Sequence, residues 1–338
     1  MLYIKKMKMK IAFYLFLLIF TVFILYKLYE YYSSKQKKYE NKYDIKYDIE
    51  NDIENGIGNN DTNNNDANNN DAKTNNEIVV IVSITTSPRR IKLMKNTIDS
   101  ILNQTYPPNL IRINIPKQFK RTGQTYNIPE FIKNNDKIQI FQYEEDYGPI
   151  MKLLPTLSDY SEHPNANIIY VDDDVLMLPN TIETFIKYIH INPNLVYCLS
   201  GFDFKGPRNW IRNNNVPCYV NIPEGYMSVC FSSSVINKIT NKNNYSIEDY
   251  YRFFSKNEYC FTSDDFMIGN FLAMNNIYIY KIHDDKANFN LWWKSGCELQ
   301  YGKSGDGIMH LETDQHFTRY NKAFQYLIEN NMNYFIVG

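Results

Sequence analysis

The sequence predicts an α/β fold with a mainly parallel central sheet, and three observations carry that expectation. Glu77-Ile-Val-Val-Ile-Val-Ser-Ile-Thr85 is a nearly continuous β-branched run, the pattern of a strand buried on both faces. Segments of strand and helix character then follow in the order helix, strand, strand, helix, strand, helix. Finally, three adjacent carboxylates, Asp172, Asp173 and Asp174, close the apolar segment of IIYVDDDVLMLP. Ligands of open α/β sheets bind beyond the carboxyl ends of the strands, and the triplet sits at such an end.

After the first strand comes TTSPRRI, then a helix over about 91–103, with Ile91, Met94, Ile98, Ile101 and Leu102 at helical spacing. Leu110-Ile-Arg-Ile-Asn-Ile115 is a second strand stopped by Pro116, and Lys137-Ile-Gln-Ile-Phe-Gln-Tyr143 is a third. A helix is expected from Gly148-Pro149 through Leu154, then the strand 167–171 that leads into the triplet. Pro179 suits the first turn of a helix reaching about His190. Further on, Thr262 or Ser263 can cap a helix carrying Phe266, Met267, Phe271 and Leu272.

Outside this domain, residues 11–29 hold an uncharged run, IAFYLFLLIFTVFILY, preceded by Lys5, Lys6, Lys8 and Lys10. Its length approaches the roughly 20 residues that span a bilayer. It reads as a membrane anchor; a cleaved signal peptide is the rival, but no small-x-small site follows. With residues 1–10 on the cytosolic side, the expectation is a single-pass type II membrane protein whose bulk is luminal or external. Residues 30–76 are dominated in their second half by Asn and Asp and are too polar to bury a core, so a disordered tether is expected before a catalytic domain over 77–338.

Composition narrows the chemistry. The net charge is −1, with 36 basic and 37 acidic residues, so no global field draws the chain to nucleic acid. The five cysteines include no C-x-x-C pair, which argues against a zinc cluster and favours buried thiols over a full disulfide framework. In an extended chain Asp172 and Asp174 share one side and Asp173 takes the other. Two carboxylates a few ångströms apart repel unless a cation sits between them, which suggests Mg²⁺ or Mn²⁺ together with a diphosphate. An acidic turn capping the next helix is the plainer reading of the same residues.

Four stretches, SITTSPRRI, TIDSILNQTYPPNLIRINIP, DYGPIMKLLPTL and IIYVDDDVLMLPNTIETFI, together resemble the nucleotide-sugar-binding half of family-2-like glycosyltransferases with the GT-A fold. The resemblance covers about residues 78–189. It implies a mixed, mainly parallel sheet, a nucleotide-diphosphate sugar donor, UDP first among the nucleotides, and a divalent cation. Asp172 and Asp174 take the D-x-D roles toward nucleotide and metal, with Asp173 between them. Thr85, Thr86, Ser87, Pro88 and Asp146 would line the nucleoside pocket with Arg89 or Arg90 nearby; Lys152 would meet a phosphate or be an ordinary exposed helix lysine.

The second half should supply the acceptor side. Displacing a nucleotide from a sugar carbon needs a base for the attacking hydroxyl. Asp265, with Asp264 as fallback, is the candidate, since family-2-like enzymes often place an acidic pair ahead of such a helix; the helix dipole alone also favours acids there. Gly225 would let backbone approach a sugar or simply make a turn. Trp292 and Trp293 are a sugar-stacking platform or core, and His310 is a metal ligand or a structural histidine.

The function expected is transfer of a single sugar to a glycan or glycoprotein, metal-dependent and inverting. The alternatives are a degenerate fold serving as a tethered carbohydrate-binding protein, and a metal-dependent phosphohydrolase. No Q-x-x-R-W motif, G-G-x-G-T-R loop, P-loop or dinucleotide fingerprint occurs in the folded region.

Overall fold

A computed structural model describes residues 20–27, 30, 78–160, 163–207, 209–211, 217–240, 246–282 and 315–335. The chain divides into two units, Met1–Asn69 and Asn70–Gly338. In the first, residues 20–27 are helical and Lys27 pairs with Glu30 at 2.7 Å. Among the described residues no helix is long and apolar enough to cross a membrane. Most of the expected anchor, and all of the tether but Glu30, lie outside the described residues.

The second unit is the α/β domain. Its strands and helices begin β1 (Val80–Ile84), α1 (Lys95–Leu102), β2 (Leu110–Pro116), α2 (Glu130–Lys133), β3 (Ile138–Tyr143), α3 (Leu154–Ser158), β4 (Asn167–Tyr170) and α4 (Thr181–Ile191). The chain continues through β5 (Val196–Cys198), β6 (Gly201–Phe204), β7 (Trp210–Ile211), β8 (Cys218–Val220), β9 (Ile222–Pro223) and β10 (Val229–Phe231). Then come α5 (Ser233–Thr240), α6 (Ile247–Phe254), α7 (Glu258–Phe261), α8 (Asp264–Met274), β11 (Ile279–Lys281) and α9 (Gln315–Glu329).

Eight strands form the main sheet in the order β3-β2-β1-β4-β10-β5-β11-β8. The four strands from β3 to β4 pair in parallel, β10 runs antiparallel to both β4 and β5, and β11 is parallel to β5 and antiparallel to β8. The expected mixed, mainly parallel α/β sheet is therefore present. A second, three-stranded sheet, β7-β6-β9, lies in the later half. Since β1 is flanked by β2 on one side and β4 on the other, strand order reverses there, which opens a crevice at the carboxyl ends of β1 and β4.

Local differences from the sequence reading have physical causes. The helix expected over 91–103 is a 3₁₀ turn, Ile91–Leu93, followed by α1, with Ile91, Met94, Ile98 and Ile101 buried as its spacing requires. The helix expected from Gly148 is also split, into a 3₁₀ turn, Gly148–Lys152, and α3. Pro155 has no N–H to donate back one turn, so the segment before it tightens. Pro179 lies just outside α4, whose N-cap is Asn180. Ser263 occupies the N-cap position of α8 without a side-chain capping bond.

Polar side chains inside the sheet are satisfied as a network. Asn114 donates to the hydroxyls of Ser83 (3.0 Å) and Thr156 (2.8 Å) and accepts from Arg112 (2.9 Å). Arg112, 1% exposed, also reaches Tyr143 and Asp159. A buried network of this kind fixes register because a slip would strand every member. It seats α3 on β1 and β2, directly after Lys152.

Candidate active site

The site is built where β1 and β4 end. β4 stops at Tyr170 and the chain turns at Asp173 and Asp174, so the side-to-side alternation expected of an extended triplet does not hold. Asp173 and Asp174 instead face one cation. Arg90 Nη2 lies 2.5 Å from Asp173 Oδ1 and 2.6 Å from Asp174 Oδ2. Thr86 Oγ1 donates to Asp173 Oδ2 at 2.5 Å. Asp172 points elsewhere, accepting from Lys152 Nζ at 2.6 Å.

The loop after β1 brings the predicted nucleoside-side residues together. Thr85 Oγ1 donates to the Asn114 carbonyl (2.8 Å), and Ser87 accepts the Arg90 N–H (3.3 Å) to close the turn that aims Arg90 inward. Arg89 is exposed and Pro88 half-buried in the same turn. Asp146 accepts from the N–H groups of Lys120 (2.8 Å) and Gly148 (2.7 Å), tying the loop after β2 to the turn that precedes Lys152. Tyr126 hydroxyl donates to the Thr86 carbonyl at 2.9 Å, a neighbour the sequence reading missed.

Lys152 is not an exposed helix lysine. Its side chain is 5% exposed, and Nζ also lies 2.8 Å from Asp264 Oδ2 and 4.0 Å from Asp265 Oδ1. Gly225 makes room for it: a Cβ there would stand 2.6 Å from Nζ and 2.8 Å from the Tyr170 ring. The Gly225 N–H donates to Asp265 Oδ1 at 3.1 Å. The acid pair arrives on the first turn of α8, and Gly269 lets that helix press on β9's neighbour, since a Cβ would fall 2.3 Å from the Asn221 carbonyl oxygen.

Charge is out of balance here. Five carboxyl groups, at 172, 173, 174, 264 and 265, meet two cations, Arg90 and Lys152, so the acids outnumber the bases. Burial first, then its acidic neighbours, push the Asp173 carboxyl up to about 7 against the pull of Arg90 and Thr86. Burial and the Asp172 carboxylate likewise raise Asp174 despite Arg90. Asp265 is held well above the usual carboxylate range by burial and Asp264, with Lys152 opposing. For Lys152 burial works against the charge, but Asp172, Asp264 and Asp265 outweigh it and keep the ammonium protonated.

Glu224, 9% exposed, was invisible to sequence reasoning; its Oε2 accepts from Ser200 at 2.6 Å and its charge adds to the load on Asp265. The fully buried Tyr170 hydroxyl has no hydrogen-bond partner among the described residues. Trp292, Trp293 and His310 lie outside the described residues, as does Cys297; Cys198, Cys230 and Cys260 are buried free thiols.

A hard divalent ion fits the chemistry of this donor set, which is all carboxylate and short of positive charge. Among the described residues no three candidate ligands group as a cage. Mg²⁺ commonly needs only one or two carboxylates when substrate phosphates complete its shell, and Asp172, 35% exposed, is the most open of the triplet.

The chain matches no family model. No curated protein matches it either. Among solved structures, the crystal structure of S. aureus TarS 1-349 aligns over 60% of this chain and 58% of that chain, at 11% identity and a TM-score of 0.37. The aligned part is thus less than two thirds of that chain's length, and a likeness so partial bears on neither the site nor its chemistry.

Proposed function

We propose that this chain is a GT-A-type glycosyltransferase that moves one sugar from a nucleotide-diphosphate donor, UDP first among the candidates, to a glycan or glycoprotein hydroxyl. The observation that carries the reading is the convergence on Lys152 of two acidic groups from different halves of the fold. One is the triplet at the carboxyl end of β4, the other the acid pair opening α8. The four motif stretches described above supply the expectation of a nucleotide sugar.

In this reading Asp172 and Asp174 hold a divalent cation, and the Thr85–Arg90 turn with Asp146 borders the nucleoside. The bound ion would offset charge on the departing diphosphate. Asp265 takes the proton of the acceptor hydroxyl. Gly225 fixes its Oδ1 through the backbone N–H, which leaves Oδ2 for the acceptor. Burial and Asp264 strengthen the proton affinity of this carboxyl, while the Lys152 ammonium opposes them and favours the ionised form a base requires. A base opposite the leaving group implies inversion at the anomeric carbon.

Metal dependence, the UDP donor and a membrane-tethered location belong to this proposal. One observation favours a second reading, a degenerate fold that binds carbohydrate without turnover: Arg90 and Lys152 already pair every carboxylate of the triplet. Incubating the full chain with Mn²⁺, UDP-sugars and a glycan panel separates the two. Acceptor-dependent UDP release with an inverted product anomer supports the transferase. Donor cleavage independent of any glycan points to a phosphohydrolase, and no cleavage with glycan binding points to the degenerate fold.

A further inference from the structure

The ammonium of Lys152 stands where the two halves of the site meet and reaches carboxylates of both. Asp172 follows β4, whereas Asp264 and Asp265 open α8, yet one Nζ lies 2.6, 2.8 and 4.0 Å from their carboxylates. We propose that Lys152 is a positioning residue, a built-in cation that ties the donor-side loop to the acid pair and holds Asp265 in place for proton transfer, and that it is not a ligand of the donor phosphate. The kinetic part rests on the transferase reading; the bridge itself is a matter of geometry.

The surroundings are shaped for an ammonium. The side chain is reached from the end of the Gly148–Lys152 turn and is 5% exposed. Tyr170 presents its ring 5.4 Å from Nζ, a cation–π wall. Gly225 closes the other side; any side chain there would collide with Nζ (2.6 Å) and Cε (3.0 Å). Its N–H and the ammonium therefore hold the acid pair from two directions.

An acid pair needs such a tie. Asp264 and Asp265 are adjacent in one helical turn, with Asp172 and Glu224 adding like charge to Asp265. The α8 dipole favours acids at this end only modestly. A nearby ammonium offsets the repulsion and restrains both side chains at once. Phosphate recognition, by contrast, calls for an amine directed into open space, and this one is enclosed by three carboxylates, a ring and a backbone.

The test uses the full chain and two readouts. Thermal unfolding is measured for Lys152→Met, for Asp264→Asn/Asp265→Asn and for the triple variant. A bridge predicts that Lys152→Met lowers the midpoint or prevents folding, and that the two Asn substitutions restore much of the loss in the triple variant. Additive losses, or a triple variant as damaged as Lys152→Met, overturn the bridge.

Turnover then tests the positioning role. Lys152→Met should lower kcat on the order of 100-fold while donor KM stays within about threefold. In Lys152→Ala, added ethylammonium should recover part of the lost kcat. A rise in donor KM with kcat intact would assign Lys152 to phosphate and overturn the proposal. A wild-type chain with no transfer activity removes the transferase reading, and the unfolding cycle still decides the bridge.

Discussion

Arg90 and Lys152 are both buried cations set among aspartates, but they join different things. Arg90 links the turn after β1 to a single turn after β4, and its two partners, Asp173 and Asp174, are neighbours in sequence. Lys152 links that same β4 loop, through Asp172, to a helix nearly a hundred residues later, through Asp264 and Asp265. One cation shapes a loop; the other sets the distance between two halves. The difference teaches that like clusters of charge can do separable jobs, so breaking each should damage a different step.

The largest effect should follow from Asp265→Asn. Loss of a base is expected to cut kcat by about three orders of magnitude, at the middle of the usual range for general-base loss. UDP binding should persist, because the proposed donor site lies around Arg90 and the triplet. The melting midpoint should hold or rise, since burial and Asp264 already disfavour the charged form that Asn removes. Single-turnover rates and thermal melts check both, and a lower midpoint with lost UDP binding would make Asp265 structural.

Arg90→Met should do the opposite. It leaves Asp173 and Asp174 without their cation, a loss on the order of 3 kcal/mol for a broken buried pair. Urea unfolding would record it, and donor affinity should fall with it.

The same cluster should set a pH dependence in chain freed of divalent ions. Asp173 has a folded value of about 7 against about 3.9 for an unfolded aspartate. Its protonated form is the one the fold favours. Its contribution is therefore fully present below about pH 4, is lost as pH rises toward about 7, and is level above that. Urea midpoints from pH 4 to 8 should decline accordingly, and Asp173→Asn should flatten the decline. An unchanged slope would show that Asp173 is ionised in the folded chain.

The smallest effect belongs to the exposed pair Lys95–Asp99, 2.6 Å apart with side chains 60% and 46% exposed. Lys95→Ala should shift stability by about 0.5 kcal/mol or less, with no effect on turnover. A larger shift would mean that exposure is a poor guide to which of these cations matter.

The parallel half of the sheet was legible in the sequence because β1, β2 and β3 are five to seven residues long and rich in β-branched residues, and the short β4 is a continuous apolar run after Asn167. The later half was not, because its strands are two to four residues long, too short for any period to register. At the site, the acid pair opening α8 was readable as a helix start, and the residues of the β1 loop were named by the family resemblance. Which carboxylate meets which cation was not. The turn at Asp173 and Asp174 overrides strand alternation, and the burial of Lys152 depends on Gly225 and Tyr170, far away in sequence. Glu224 became visible only once the two sheets were packed.

Calorimetric titration of the full chain with UDP and Mn²⁺, together and separately and beside Asp174→Ala, tests the proposal that the triplet forms a metal-dependent site for a nucleoside diphosphate. The account predicts UDP binding that requires Mn²⁺ and is abolished by the substitution. Absence of binding to UDP, GDP or CMP under every metal condition would contradict it and leave Asp172, Asp173 and Asp174 as a structural turn held by Arg90 and Lys152.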